Sequence, residues 1–146
     1  QPLWARPDAM MQNALTNLGQ ARAGRMYPMV ELQESGGRFV FGSDWPVSSA
    51  DPLLGIFTAV TRSEPGSKTV HNPKNRVNLA NAIAAYSTGD TAGSKPSAIR
   101  QARQLLPGSR ADFVILSGNP FADPQNLHEL AVTETISGGQ TIFTRH

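Results

Sequence analysis

Arg38-Phe39-Val40-Phe41-Gly42-Ser43-Asp44-Trp45-Pro46 is the stretch that decides how this chain is read. After its arginine, the run 38–41 is apolar and either aromatic or β-branched, with glycine on both sides. Such a run without alternation predicts a strand buried on both faces, the kind found in parallel sheets. The residues that follow it matter more. A carboxylate just past the end of a parallel strand points into the mouth of an α/β sheet or barrel, where such folds carry their chemistry. Asp44 sits there, able to ligate a metal ion through oxygen or to accept a proton from a metal-bound water. The alternative is structural, because Gly-Ser-Asp ahead of a proline also suits an Asx turn.

Outward from this stretch, helix signals flank the strand. On the N-terminal side, Asp8 after Pro7 can cap a helix with Met11, Ala14, Leu15 and Leu18 on one face, ended by Gly19 or Gly24. Pro28 opens a second short helix that Gly36-Gly37 stops. On the C-terminal side, Asp51-Pro52 combines a cap side chain with an N1 proline, and Leu53, Ile56, Phe57 and Val60 form the apolar stripe. Residues 63–76 read as a polar loop, and Leu79, Ala82, Ile83 and Tyr86 mark another helix. Beyond about residue 105 the character changes. Residues 111–116 read as a strand, and 130–137 and 140–144 as two more joined across Gly138-Gly139, a hairpin signal. The expected fold class is therefore α/β, with residues 1–104 as a layer built on a parallel sheet and 105–146 as part of a small β-rich unit. A single parallel strand leaves its backbone groups unpaired on both edges. Its neighbours are expected from a longer chain or from another copy.

Composition excludes several classes. The 146 residues carry 13 basic and 11 acidic side chains, a formal net charge of +2, with the basic residues scattered along the chain. Without a basic stripe interleaved with aromatics, no nucleic-acid partner is expected. No segment approaches the roughly 20 apolar residues of a spanning helix, so no membrane partner is expected either. There is no cysteine, which removes disulfides and thiolate chemistry. The first residues, Gln1-Pro2-Leu3-Trp4, read as the middle of something longer, and no compartment is legible beyond an expectation of solubility.

Six segments in family order carry a resemblance. Gly42-Ser43-Asp44-Trp45-Pro46-Val47, followed by Asp51-Pro52-Leu53 and Ala59-Val60-Thr61-Arg62, closely resembles the stretch that closes the barrel in the amidohydrolase superfamily. The nearest likeness is to amidohydrolase family 3, the exoenzyme-regulatory branch that includes N-substituted formamide deformylases. Gln1-Pro2 resembles the end of the seventh barrel strand, and Leu18-Gly19-Gln20-Ala21-Arg22 with Tyr27-Pro28 the helix segment after it. Ala82-Ile83-Ala84-Ala85-Tyr86-Ser87 is similar to the helix ending in Ala-Tyr-Thr, residues 107–116 to the return into the small composite β-domain, and 135–143 to the closing hairpin.

The resemblance implies the C-terminal part of a (β/α)8 barrel, comprising the end of strand seven, strand eight and flanking helices, plus part of the composite domain. It implies hydrolysis of a non-peptide C–N bond, amide or formamide-like, in a small-molecule substrate, with a divalent metal ion, zinc or similar. Asp44 then takes the position of the metal-associated aspartate that carries a proton from the attacking water to the leaving nitrogen. The departures are equally plain. The family's His-Xaa-His, its lysine or glutamate and its two later histidines have no counterpart between Gln1 and His146. His71, His128 and His146 are widely separated, and Asp44 alone cannot supply the about four ligands zinc wants. Arg103-Gln104-Leu105-Leu106 and residues 89–94 also differ from the family's pattern.

Trp45, beside Asp44, is a candidate substrate contact, and Arg22 and Arg25 are candidate anion contacts. His71 reads as a solvated loop histidine, His128 and His146 as structural or terminal, Met10-Met11 as core, and Asp112 as a carboxylate satisfying backbone donors in a turn. The enzyme reading expects the fragment alone to be inactive and to bind no metal tightly. The alternative is a non-catalytic assembly module, with paired copies supplying each other's strands.

Overall fold

The computed structural model describes residues 1–87 and 105–146. Among the described residues, five helices precede a small sheet: α1 (Ala9–Leu18), α2 (Gln20–Ala23), α3 (Met29–Glu34), α4 (Pro52–Thr61) and α5 (Leu79–Ser87). The strands are β1 (Phe113–Leu116), β2 (Val132–Ser137) and β3 (Gln140–Thr144), and 3-10 turns occupy Pro2–Ala5, Pro73–Asn75 and Pro124–Glu129. The chain is thus a mixed α/β structure.

The helix boundaries follow local chemistry. The Asp8 carboxylate accepts from the Met11 N–H at 2.9 Å, satisfying one of the orphan donors of α1. Asp51 does the same for Leu53 at the start of α4, where Pro52 has no N–H to satisfy. α3 ends where the Gly37 N–H reaches back to the Leu32 carbonyl at 2.9 Å and Gly36 takes φ +90°. The apolar stripe of α4 is buried at Leu53, Ile56 and Phe57, each worth about 1.5–3 kcal/mol of transfer free energy. Gly55 is required by packing, since a Cβ there would collide with the Tyr86 hydroxyl of α5.

The sheet is an antiparallel meander in the order β1-β2-β3. Gly138 and Gly139, at φ +56° and +81°, supply the two positive-φ positions of a tight hairpin between Ser137 and Gln140. Asp112 fastens it as expected: its carboxylate accepts from the Gly138 N–H at 2.7 Å, which holds the carboxyl below its usual pKa. The 3-10 turn 124–129 ties the sheet region to the helices. Leu127 is fully buried in one core with Ala5, Met29, Phe57 and Val77, and His128 packs edge-on against Phe57 at 4.8 Å.

Three expectations are corrected. Residues 38–41 form no strand; they run without a strand partner among the described residues, and Val40 is half exposed. The Phe41 N–H donates instead to the Ala85 carbonyl of α5, at 2.9 Å. The physical reason is pairing, because apolar side chains make a strand only where a neighbour accepts its ladder. The parallel sheet expected around it is likewise not seen among the described residues, where every strand pair is antiparallel. Finally, Met11 is core but Met10 is not: it is exposed on the outer face of α1. Residues 89–94 and 103–104, and with them the boundary expected at 104/105, fall at or inside the segment outside the described residues.

Candidate active site

Asp44 lies on a turn that is held at both ends. Upstream, Phe41 stacks on Phe39 at 5.4 Å and meets Tyr86 edge-on at 5.6 Å, fixing the approach to α5. Downstream, Asp51 starts α4. Between them the Val47 N–H donates to the Asp44 carbonyl at 2.8 Å, and the Trp45-Pro46 peptide is cis. The Trp4 indole N–H donates to Ser48 Oγ at 2.9 Å and ties the turn to the 3-10 turn Pro2–Ala5.

The Asp44 side chain does not close the turn. An Asx turn would have the Asp44 carboxylate accept from the N–H two residues on, but that residue is Pro46, which has none. The turn closes instead through the backbone carbonyl. Among the described residues no hydrogen bond or ion pair occupies the Asp44 carboxylate, and the residue is exposed. At φ +53° its backbone is left-handed, a conformation uncommon outside glycine, asparagine and aspartate. An unoccupied carboxylate on a pinned turn can accept a proton or ligate a cation.

The other candidates are placed less tightly. Trp45 is 70% exposed beside Asp44, with Val47 nearby at 71%, giving the carboxylate an apolar rim. Arg22 donates through Nε to the Leu18 carbonyl at 2.9 Å, and Arg25 lies in the field of Glu31. Neither arginine is joined to Asp44 by a hydrogen bond or ion pair among the described residues. No group of three His, Asp or Glu that could hold a metal ion occurs among them either.

A second polar cluster went unread in the sequence. Arg62 ends α4 at φ +60° and is fully buried. Its Nε donates to the His71 carbonyl at 3.0 Å and Nη1 to the Tyr27 carbonyl at 3.3 Å, while Nη2 has no partner. Burial lowers its pKa to about 10. Asn75, also buried, accepts from the Val30 N–H at 3.0 Å. Tyr27 and Asn72, at φ +52° and +51°, share the left-handed conformation, and Asn72 donates to the Gly24 carbonyl at 2.8 Å. His71, read as a solvated loop histidine, is only 8% exposed. The available signal was the pairing of an arginine at a helix end with an Asn-Pro turn ten residues on, but neither reveals burial locally.

Comparison with known proteins agrees with the family resemblance. The Amidohydrolase family matches residues 3–143, and the chain belongs to that family. YtcJ of Bacillus subtilis (strain 168), which its name places among the amidohydrolases, is 32% identical over 134 residues, covering 90% of this chain and 25% of YtcJ. Protein LONG AFTER FAR-RED 3 of Arabidopsis thaliana is 30% identical over 142 residues, 94% of this chain and 24% of that protein. The chain therefore spans about a quarter of the length of the curated relatives it matches. No solved structure matches it. Family membership makes this a hydrolase-family chain. Among the described residues, no helix is long and apolar enough to cross a membrane.

Proposed function

We propose that this chain is the barrel-closing section of a longer amidohydrolase, and that Asp44 moves the proton when a non-peptide C–N bond is hydrolysed. The substrate class is a small amide or formamide-like molecule. The observation that carries this reading is the unoccupied, exposed carboxylate of Asp44 on a pinned turn, in a chain that matches the family from residue 3 to residue 143. In the reaction, Asp44 accepts a proton from the attacking water and returns it to the departing nitrogen, a role worth about 10²–10⁴ in rate. Trp45 and Val47 border the substrate on its apolar side.

The metal ion implied by the family, zinc or a similar divalent ion, does not fit the described residues by themselves. They bring no three potential ligands together, and Asp44 is at most one ligand of about four. No step here is routed through that ion. The (β/α)8 barrel belongs to the same proposal.

The test is amide and formamide hydrolysis by the longer protein carrying this segment, with Asp44→Asn and Asp44→Glu compared. The account expects Asn to abolish the proton transfer and Glu to retain a fraction of it. Full turnover with Asn would defeat it. A second reading, a non-catalytic module assembled from paired copies, is favoured by β3, every residue of which is exposed. A discrete dimer of the 146-residue chain on a sizing column, together with an inactive longer protein, would establish it.

A further inference from the structure

The cluster around Arg62 is built from groups that cannot all be charged. Arg62 and His71 clasp one another through their backbones and one side chain: His71 N–H donates to the Arg62 carbonyl at 2.9 Å, and Arg62 Nε donates to the His71 carbonyl at 3.0 Å. These two bonds close the loop 63–70 against the end of α4. Arg62 also reaches Tyr27, and Asn72 reaches Gly24, so the same clasp holds the turn between α2 and α3. The imidazole Nε2 of His71 is buried and has no partner. A neutral ring tolerates that position; an imidazolium there would bury a second cation beside a guanidinium.

The surrounding charges give no relief. From the start of α1, Asp8 is held by Arg6 at 3.3 Å while capping the helix. From the loop itself, Glu64 faces Arg6 at 3.6 Å. From α3, Glu31 is held by Lys74 at 2.9 Å. Of the other charged groups on these elements, Glu34 at the end of α3 is exposed, while Arg25, Lys68 and Arg76 are cationic, and Arg76 donates to the Thr61 carbonyl at 3.0 Å. Tyr27 faces Arg62 as a neutral phenol. Among the described residues, no carboxylate is bonded to Arg62 or His71.

We propose that Arg62 and His71 form an acid-sensitive latch: a proton taken up by the His71 imidazole releases the segment 63–77 from the end of α4 and from the Tyr27 turn. The direction follows from linkage. Burial, and then Arg62, lower the His71 pKa in the folded chain, while an opened segment takes up the proton at the ordinary value near 6.5. The closed form is therefore fully favoured above about pH 6.5 and loses ground as the pH falls below it.

The experiment is a histidine NMR titration of the 146-residue chain from pH 8 to pH 5, with amide hydrogen exchange followed in parallel. The latch requires His71 to titrate below the ordinary imidazole value near 6.5. It also requires protection factors in 63–77 to fall at least tenfold across the range while those of β2 hold. His71→Gln should make the protection of 63–77 independent of pH. Titration of His71 at or above the ordinary value, or unchanged protection of 63–77 in the wild-type chain, would overturn the proposal, so it remains testable if the variant does not fold.

Discussion

Asp44 and Arg62 make an instructive pair. Both are charged, both have left-handed backbones, at φ +53° and +60°, and each adjoins a helix or its lead-in. One is exposed, with no partner for its carboxylate among the described residues; the other is fully buried with two backbone carbonyls as partners. The turn 43–48 presents a charge to whatever approaches, whereas the cluster 58–77 uses a charge to fasten segments distant in sequence. A charge that reacts has to remain free of internal partners, and a charge that fastens has to be surrounded by them. The two kinds of residue should therefore fail in different ways when altered.

The largest effect is expected at the fastening end. Arg62→Ala removes two charge-assisted hydrogen bonds and leaves the Tyr27 and His71 carbonyls short of donors. It should cost about 3–5 kcal/mol in urea denaturation. A loss under about 1 kcal/mol would mean that the cluster contributes little to holding α4, the loop and the Tyr27 turn together. Next comes Gly55→Ala, which forces a methyl against the Tyr86 hydroxyl and should cost about 1–3 kcal/mol. The same Tyr86 phenol, pushed up to about 12 by burial and then by Asp51, should stay un-ionised in an ultraviolet titration to pH 11, while the pair α4–α5 remains packed. Asp51→Ala removes the α4 cap and should cost about 1 kcal/mol by thermal denaturation. The smallest stability effect is expected at Asp44→Asn, within about 0.5 kcal/mol, because no internal bond is lost. A large stability loss at Asp44 would erase the distinction between the two sites.

What was legible in the sequence was local. Asp8 and Asp51-Pro52 announce helix starts because a cap needs only its own first turn. Gly138-Gly139 announces a hairpin because two adjacent positive-φ positions suffice. Asp112 could be read as a turn carboxylate for the same reason. What was misread depends on distant partners. The run 38–41 has the side chains of a buried strand, but strand formation belongs to a pair and no partner lies alongside among the described residues. His71 sits in a polar stretch, and only the return of the loop onto Arg62 and Tyr27 buries it. Asp44 could be singled out by its setting after an apolar run. That its carboxylate has no partner among the described residues needed the turn geometry, since Pro46 removes the one N–H an Asx turn would use.

The most direct test measures turnover and melting temperature together in the longer protein, for Asp44→Asn and for Arg62→Met. The account expects Asp44→Asn to melt with the parent and lose about 10²–10⁴ in kcat, and Arg62→Met to melt several degrees lower with kcat per folded molecule retained. Undiminished amide hydrolysis by Asp44→Asn would contradict it.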